Sequence, residues 1–265
     1  MVDSTRAEGV PPSELELIRD FDHRVRRGSA TEVVSVEGGF AVLNGEFPAS
    51  YEHNGLVVGA ALEPSLLMAE ADRVLGGAGL SHRSIDVELD GLGAAWLDEF
   101  RRAGYEVLPT LLMVWRREAE RTSDAAVERV SLADLESMMA RDWRRDLPGA
   151  AESTIHQLVQ RRTATERACQ VTYHAVRGLG GFVARCCLYR LGTIAQVEDV
   201  VTDSEMRGRG YATAVVLDAV KLARAGGSRL IFLVAAADDW PQHLYERLGF
   251  ERVGAGWTLQ RASRP

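Results

Sequence analysis

Residues 205–213, EMRGRGYAT, contain the pattern in this chain that most directly indicates chemistry. Gly208 and Gly210 alternate there with Arg207 and Arg209, between a valine-rich run and an alanine-rich run. Glycine is costly in regular structure, so its use indicates a backbone that turns tightly or approaches a ligand closely. Backbone N–H groups at a helix start, beside guanidinium groups, bind anions such as phosphate. The stretch therefore predicts an anion-binding loop.

The elements around this loop are predicted from hydrophobic periodicity. Residues 181–202 alternate like two strands joined by a turn, and they lead into the loop. The run after it predicts a helix over 211–225 that ends at Gly226 and Gly227. Earlier, Ser131 is a candidate N-cap for a helix, and Pro241 suits the first turn of a short one. The order of elements from residue 126 onward indicates an α/β (α+β) fold.

The two halves of the chain contain related segments. Residues 100–116 match residues 245–261 at a constant offset of 145, with identities at Arg102/Arg247, Gly104/Gly249, Glu106/Glu251 and Arg116/Arg261. This match favours two copies of one fold, joined through the polar segment 117–128. We predict domains at 1–120 and 126–265.

The first copy lacks both chemical elements of the second. The same offset places the glycine–arginine loop on residues 62–68, LEPSLLM, which contain no glycine and no arginine. Phe100 stands where the second copy has Tyr245, and it has no hydroxyl group. We therefore expect the first copy to be a structural or substrate-shaping domain without a cofactor loop.

Composition places the chain among ordinary globular proteins. Its 265 residues are 46% hydrophobic and 26% charged, and no apolar run has the ~20 residues of a membrane span. The acidic, proline-containing N-terminus does not resemble a signal peptide. The three cysteines, Cys169, Cys186 and Cys187, suit a reducing compartment. We expect a cytoplasmic protein that binds no membrane.

Charge differs between the halves. Residues 1–120 carry 21 acidic and 11 basic residues, whereas residues 121–265 carry 17 and 20. The half with the loop therefore suits an anionic ligand, and the acidic half is compatible either with cation binding or with solubility alone. Lysine occurs once among 31 basic residues, which indicates coding bias and not nucleic-acid recognition. We expect no nucleic-acid partner.

Taken together, residues 196–250 resemble the GCN5-related N-acetyltransferases, the GNAT family. The resemblance consists of the Arg-x-x-Gly-x-Ala pattern at Arg207, Gly210 and Ala212 after a strand, the buried run LIFLV, and the ending LYERLGF at 244–250. It implies two tandem GNAT-like domains, each with a mixed, mostly antiparallel central sheet flanked by helices. The first copy resembles the degenerate copy of tandem members.

The resemblance implies acetyl-CoA as the acyl-donor substrate. Its pyrophosphate would bind the backbone from Arg207 to Thr213, where the glycines allow close approach and Ala212 lets the helix begin beneath the ligand. For Arg207 and Arg209 the alternative is a solvated side chain. The pantetheine arm would contact the strand before the loop. The implied cofactor-binding set is Val200, Val201, Thr202, Arg207, Gly208, Arg209, Gly210, Tyr211, Ala212, Thr213 and Asp238.

Catalytic candidates follow from the same resemblance. An amine arrives protonated, so a base must remove a proton before the nitrogen attacks the thioester. Glu198 is the first candidate and Asp199 the second, and the alternative is that both are strand-end acids in salt bridges. Tyr245 corresponds to the tyrosine that protonates the leaving thiolate, unless it is a core residue. Asp238 lacks the amide of the family's asparagine, which favours a helix cap there.

The remaining polar residues predict no metal site. His156 and His174 have no carboxylate or cysteine at a metal-binding spacing, and His243 points away from Tyr245. Cys186 and Cys187 are adjacent on a strand, so their side chains face opposite ways.

Three functions are compatible with these patterns. The first is an acetyl-CoA-dependent N-acetyltransferase that acts on a primary amine of a small molecule or peptide by direct transfer. The second is a catalytically silent acyl-CoA-binding sensor or interaction protein, which retention of Glu198 and Tyr245 disfavours. The third, RNA binding through RGRG, is disfavoured by the lack of repeats and of basic net charge. A monomer built as an intramolecular pseudo-dimer, or a homodimer, fits the tandem arrangement.

Overall fold

A computed structural model describes residues 12–120 and 122–262. The first eleven residues lie outside the described part, and with them most of the acidic, proline-containing stretch used above to judge the N-terminus. Below, the N-terminal half means residues 12–120 and the C-terminal half residues 122–262.

The strands and helices alternate along both halves. The strands are β1 (Glu32–Val36), β2 (Gly39–Leu43), β3 (Gly55–Val58), β4 (His82–Val87), β5 (Glu106–Trp115), β6 (Val127–Val130), β7 (Gln170–Gly178), β8 (Gly181–Leu191), β9 (Ile194–Thr202), β10 (Leu230–Ala236) and β11 (Phe250–Ala262). The helices are α1 (Glu14–Ser29), α2 (Pro64–Ala71, extended by a π-helical turn Asp72–Gly76), α3 (Ala94–Arg102), α4 (Leu132–Asp146), α5 (Glu152–Gln160), α6 (Arg162–Ala168), α7 (Tyr211–Ala225) and α8 (Pro241–Arg247).

Local sequence signals set the ends of several helices. Ser131 caps α4 in a capping box with Asp134, as its position predicts. Helix α7 covers residues 211–225 and ends before Gly226, and α8 begins at Pro241. These predictions are confirmed because each depends on the backbone preferences of one or two residues. No helix within the described residues combines the length and the apolar character needed to cross a bilayer.

The strands of the described chain form one mixed sheet in the order β1-β2-β3-β4-β11-β5-β10-β9-β8-β7-β6. Neighbouring strands are antiparallel except for β3 with β4 and β9 with β10. Helices cover both faces of the sheet. The predicted α/β (α+β) fold, with a mostly antiparallel sheet flanked by helices, is therefore confirmed.

The two halves exchange their last strands. β5 follows β4 along the chain but lies between β11 and β10, whereas β11 lies between β4 and β5. Each half therefore supplies one strand to the sheet of the other. The predicted domains at 1–120 and 126–265 are each continuous along the chain. In the sheet, however, β5 and β11 each pair with a strand of the other half.

The strand order also reveals a pseudo-two-fold relationship. On either side of the β11–β5 pair, β4 corresponds to β10, β3 to β9 and β2 to β8, so each parallel pair has its counterpart. The offset of 145 maps α3 and β5 onto α8 and β11. Helix α1 of the N-terminal half packs on α6 of the C-terminal half, beside strand β9, which carries Glu198 and Asp199.

Candidate active site

The loop after β9 leads directly into α7. A 3-10 turn at Ser204–Met206 follows the strand, and Gly210 then precedes the first turn of the helix. Gly208 and Gly210 have φ of 74° and 77°, a left-handed conformation that favours glycine over residues with a Cβ atom. The first N–H groups of α7 have no partners within the helix, and the positive end of its dipole lies at this loop.

A cavity of about 690 Å³ lies against the loop and the end of β9. Nine of the eleven residues predicted to contact a cofactor line it: Val200, Val201, Thr202, Arg207, Gly208, Gly210, Tyr211, Ala212 and Thr213. Tyr245 lines it as well, whereas Arg209 and Asp238 do not. The structure thus brings the predicted loop, strand end and tyrosine together around one cavity.

Asp238 does not cap helix α8. The residue before α8 is Trp240, and no side chain accepts a hydrogen bond from the first turn of this helix. Asp238 lies in the preceding turn, and its neighbour Asp239 lines the cavity and accepts a hydrogen bond of 2.7 Å from the Trp240 backbone N–H. The expected cap is therefore wrong, because α8 begins at Pro241 and the residue before it is Trp240.

Further residues of the cavity wall have no obvious signal in the sequence. Trp240 is 52% exposed although it is large and aromatic, and Leu244 and Leu248 extend the wall along α8. Thr122 reaches the cavity from the segment between the halves, and Arg145 adds a positive charge from α4. Only the Trp–Pro pair at the start of a predicted helix could have drawn attention to this wall.

Strands β9 and β10 separate beside the cavity. Their parallel pairing ends at Gln196 opposite Phe232, and residues 197–202 of β9 then pair with β8 alone. One side of the β9 backbone therefore has no strand partner from this point. The Thr202 hydroxyl oxygen is buried and has no hydrogen-bond partner within the described residues. These free polar groups suit a ligand that adds amide-like hydrogen bonds, as a pantetheine arm does.

Glu198 lies at the start of this opening. Its carboxylate accepts a hydrogen bond of 2.8 Å from the Gln196 amide, and it lines a second cavity of about 180 Å³ on the α1 side of the sheet. Burial, followed by the negative charge of Glu52, raises the pKa of Glu198 to about 7, although Arg162 opposes the shift. A carboxyl group with this pKa exchanges a proton readily near neutral pH.

Tyr245 reaches the opening from the other face of the sheet. It lies on α8, is 8% exposed, and packs in the core that contains Val197 and Leu233. Burial, followed by the charge of Glu198, raises the pKa of the Tyr245 hydroxyl above its usual range. The phenol therefore stays protonated at neutral pH, which suits a proton donor.

Asp199 has a different environment from Glu198. Its carboxylate forms ion pairs with Arg185 and, at 3.3 Å, with Arg162. Burial alone would raise the pKa of Asp199, but the guanidinium groups of Arg185 and Arg162 outweigh it and lower that pKa. The carboxylate is thus held ionised between two arginines, which makes it a poor proton carrier.

The N-terminal half forms part of the second cavity. Asp22 and Arg26 of α1, together with Glu52 and His53, line it opposite Glu198. Arg26 donates to Asp22 at 2.6 Å, and the His53 ring lies 2.9 Å from the Ser50 hydroxyl and 3.2 Å from that of Thr165. Burial lowers the pKa of His53 to about 4, so the ring is neutral. Sequence reasoning did not identify these residues, because no local pattern relates them to Glu198.

His174 and the three cysteines are buried in the core. His174 is fully buried and forms a 2.7 Å contact with Asp218 of α7, a partner that spacing did not predict. Cys186 and Cys187 belong to cores on opposite sides of the sheet, as expected from strand alternation. Within residues 12–120 and 122–262, no three His, Cys, Asp or Glu side chains group as metal ligands.

The corresponding region of the N-terminal half contains neither the loop nor the opening. Helix α2 begins at Pro64 after Glu63, without glycine. Strands β3 and β4 remain paired up to Val58 and Val87, and β3 ends at Val58. Within the described residues, β3 therefore has no unpaired stretch like residues 197–202 of β9. Phe100, at the position of Tyr245, is fully buried in the core of this half.

Residues 134–250 match the protein-family model described as the acetyltransferase (GNAT) family. This matched segment lies in the C-terminal half of the chain and is similar to the GNAT family. A curated relative, an uncharacterized N-acetyltransferase of Methanocaldococcus jannaschii, is 33% identical over 84 residues. That alignment covers 29% of this chain, and it spans only 37% of the length of the relative.

Two solved structures are similar in fold to most of the chain. A conserved Staphylococcus epidermidis protein of unknown function has a TM-score of 0.69 at 14% identity, covering 88% of this chain and 94% of that one. A tandem GNAT protein from the clavulanic acid biosynthesis pathway has a TM-score of 0.56 at 14% identity, covering 98% and 91%. Both likenesses concern the fold, and the second is to a tandem arrangement.

The GNAT match locates the site within the chain. It begins in α4 and ends at the first residue of β11, so it includes the glycine loop, the opening, Glu198 and Tyr245. The match points to acyltransferase activity for the segment that it covers, and acetyl-CoA is the donor that the GNAT family uses. The N-terminal half lies outside the matched segment, in agreement with its missing loop.

Proposed function

We propose that this chain is an N-acetyltransferase that transfers the acetyl group of acetyl-CoA to a primary amine of a small molecule or peptide, by direct attack in a ternary complex. The observation that carries this proposal is the position of Glu198 and Tyr245, which reach the opening between β9 and β10 from opposite faces of the sheet. A proton acceptor and a proton donor thus flank the place where a thioester would lie.

The large cavity would hold the donor substrate. The pyrophosphate would bind the free N–H groups at the start of α7, with Gly208 and Gly210 allowing close approach and Arg207 adding positive charge. The pantetheine arm would bind the unpaired β9 backbone from Val200 to Thr202. Since the N-terminal half has neither feature, we expect one acetyl-CoA site per chain.

In the proposed reaction, Glu198 and Tyr245 each transfer one proton. Acetyl-CoA supplies an activated acyl group. Glu198 takes a proton from the ammonium form of the acceptor, which leaves the nitrogen lone pair free to attack the thioester carbonyl carbon. As the carbon–nitrogen bond forms, the carbon–sulfur bond breaks with its electron pair on sulfur. The nitrogen of the new carbon–nitrogen bond loses its remaining extra proton to solvent. Tyr245 gives its proton to the thiolate. Tyr245 then takes a proton from solvent, and Glu198 releases its proton to solvent.

Glu198 is the better base of the two acids. Its pKa of about 7 lets it accept and release a proton near neutral pH, whereas the ion pairs of Asp199 with Arg185 and Arg162 hold that carboxylate in its charged form. The acceptor would approach Glu198 through the 180 Å³ cavity beneath α1, so the N-terminal half would shape the acceptor site. A cavity of that size favours a small amine or the end of a flexible chain.

The test is release of free thiol from acetyl-CoA across a panel of amines that includes amino acids, diamines, aminoglycosides and peptide N-termini. We expect amine-dependent release with at least one acceptor, reduced in Glu198→Gln. The matched control is Glu251→Gln, which changes an exposed carboxylate on β11. Acetyl-CoA binding by calorimetry without thiol release for any amine would favour the silent acyl-CoA sensor instead.

A further inference from the structure

The backbone at Asp199 is strained. Among the described residues, Asp199 is the one non-glycine residue with positive φ, at 55°. The β8–β9 ladder shifts register at the same place, with Arg185 opposite Val201 and Cys187 opposite Glu198. Asp199 and Val200 therefore face Cys186 alone, which is a β-bulge. Such conformations persist when the surrounding structure holds them.

Two buried arginines hold this bulge. Arg185 of β8 contacts the Asp199 carboxylate and donates to its backbone oxygen at 3.4 Å, and Arg162 of α6 lies 3.3 Å from the same carboxylate. Their side chains are 4% and 2% exposed, so both charges depend on buried partners. Arg185 is paired in turn with Asp142 of α4 at 3.2 Å. The bulge is thus connected to α4 and to α6.

The same chain of ion pairs continues into the N-terminal half. Arg162 donates to both carboxylate oxygens of Glu52 at 3.3 Å, and Arg161 donates to Glu52 at 3.3 Å. The segment that carries Glu52 is itself held, because the Asn54 side chain bonds the backbone oxygens of Phe47 and Ser50 at 2.9 Å. Glu52 is therefore a fixed anchor from the other half of the molecule.

We propose that Asp199 is a positioning residue of the acyl-transfer site, held by a chain of ion pairs, Glu52–Arg162–Asp199–Arg185–Asp142, through which the N-terminal half sets the geometry of the β9 opening. This inference rests on the proposed function for its kinetic consequence. The ion pairs would give the N-terminal half, which has no cofactor loop, an influence on the rate of acyl transfer. The bulge turns the Val200–Thr202 backbone at the place where the thioester would lie, so a shift of Arg162 moves the groups that align it.

The first test compares two ion pairs between the halves. Glu52→Gln removes the charge that anchors Arg162. Glu46→Gln is the matched control, because Glu46 pairs with Arg167 of α6 at 3.1 Å and that pair does not reach the bulge. We expect kcat to fall about tenfold to a hundredfold in Glu52→Gln, the scale of a misplacement near 1 Å. The Kd for coenzyme A should change less than kcat, because the glycine loop that would bind the pyrophosphate is untouched, and Glu46→Gln should match the wild type. Equal kcat in both variants overturns the proposal.

The second test separates the effect of backbone strain at Asp199 from the effect of its ion pairs. Asp199→Gly removes the carboxylate but accepts φ of 55° without strain, whereas Asp199→Asn keeps the shape and removes the charge. We expect both variants to lose kcat to a similar extent, with the Kd for coenzyme A retained as evidence of folding. Wild-type kcat in Asp199→Gly would mean that the carboxylate positions nothing.

A third measurement does not depend on turnover. Amide hydrogen exchange should quicken in residues 197–202 of Glu52→Gln and stay at the wild-type rate in Glu46→Gln, because only the first variant loosens the bulge. Unchanged exchange in Glu52→Gln overturns the proposal even if no acceptor is found. Absence of turnover in the wild type, with this exchange difference present, would instead count against the proposed function alone.

Discussion

Glu198 and Tyr245 lie on opposite faces of the sheet, beside the opening between β9 and β10. Next to burial, the Glu198 charge is the largest cause that raises the pKa of the Tyr245 hydroxyl. Both side chains lie where the two strands part after Gln196 and Phe232, so a ligand in the opening could lie between a proton acceptor and a proton donor. The catalytic account depends on that separation.

Tyr245→Phe should slow acetyl transfer without abolishing it. A thiol has a reference pKa near 8.5, so its thiolate leaves with modest help, and we expect kcat to fall about a hundredfold. The phenylalanine ring keeps the packing, so the Kd for acetyl-CoA should hardly change. Tyr105→Phe is the control, since Tyr105 is also buried, at 4% exposure, but lies in the N-terminal core. Equal kcat in the two variants would exclude Tyr245 as the donor.

Glu198→Gln should stabilise the fold at alkaline pH while impairing activity. Burial raises the folded-state pKa of Glu198 from 4.5 to about 7, so the protonated form is favoured by folding. That contribution is complete below pH ~4.5 and is lost as pH rises through 7. The free energy of unfolding of Glu198→Gln is compared with that of the wild type at each pH. This difference should be about 1–3 kcal/mol more favourable to the variant at pH 8 than at pH 4. Denaturant unfolding at both pH values measures this, and a difference independent of pH would contradict it.

Gly208→Asp should weaken acetyl-CoA binding about a hundredfold or more. The introduced carboxylate would lie against the pyrophosphate, and like charges in contact cost several kcal/mol. Gly208 lines the large cavity, and a Cβ atom there would meet no neighbour within 4 Å. Gly227→Asp is the matched control, with φ of 82°, equally open surroundings and a position past the far end of α7. Calorimetry decides the outcome, and similar affinities in both variants would refute the anion loop.

Cutting the chain between the halves should leave the fragments associated. β5 of the first fragment would remain between β10 and β11 of the second, and β11 would remain beside β4. A protease site introduced between Glu120 and Asp124 allows the cut, with the uncut chain as reference. Size-exclusion chromatography should give one species until denaturant is added. Two separate species under native conditions would contradict the strand exchange.

The site loop could be predicted from sequence because its signals are local. Gly208 and Gly210 require left-handed backbone, and Pro241 and Ser131 set helix starts within a few residues. The order of elements and the offset of 145 likewise gave the fold class and the repeat. Such features depend on the conformational preferences of neighbouring residues.

The strand exchange and the second cavity could not be predicted in this way. The hydrophobic pattern of β11 is the same whether this strand pairs within its own half or with β4. The offset of 145 therefore does not predict the strand exchange. Glu52 approaches Arg162 from 110 positions away in the chain, and no spacing rule relates them. At Asp238 the expected helix cap was wrong, because the turn before α8 places Trp240 and not Asp238 next to its first residue.

The initial rate of acetyl transfer against pH tests the central claim most directly, with wild type and Glu198→Gln assayed on one acceptor amine. The wild-type rate should rise through pH of about 7 as Glu198 loses its proton and becomes able to act as a base. In Glu198→Gln this step should vanish, and the rate should rise only toward the pKa of the amine itself, since only neutral amine then reacts. Identical pH profiles for the two proteins would contradict the assignment of Glu198 as the base of an amine acetyltransferase.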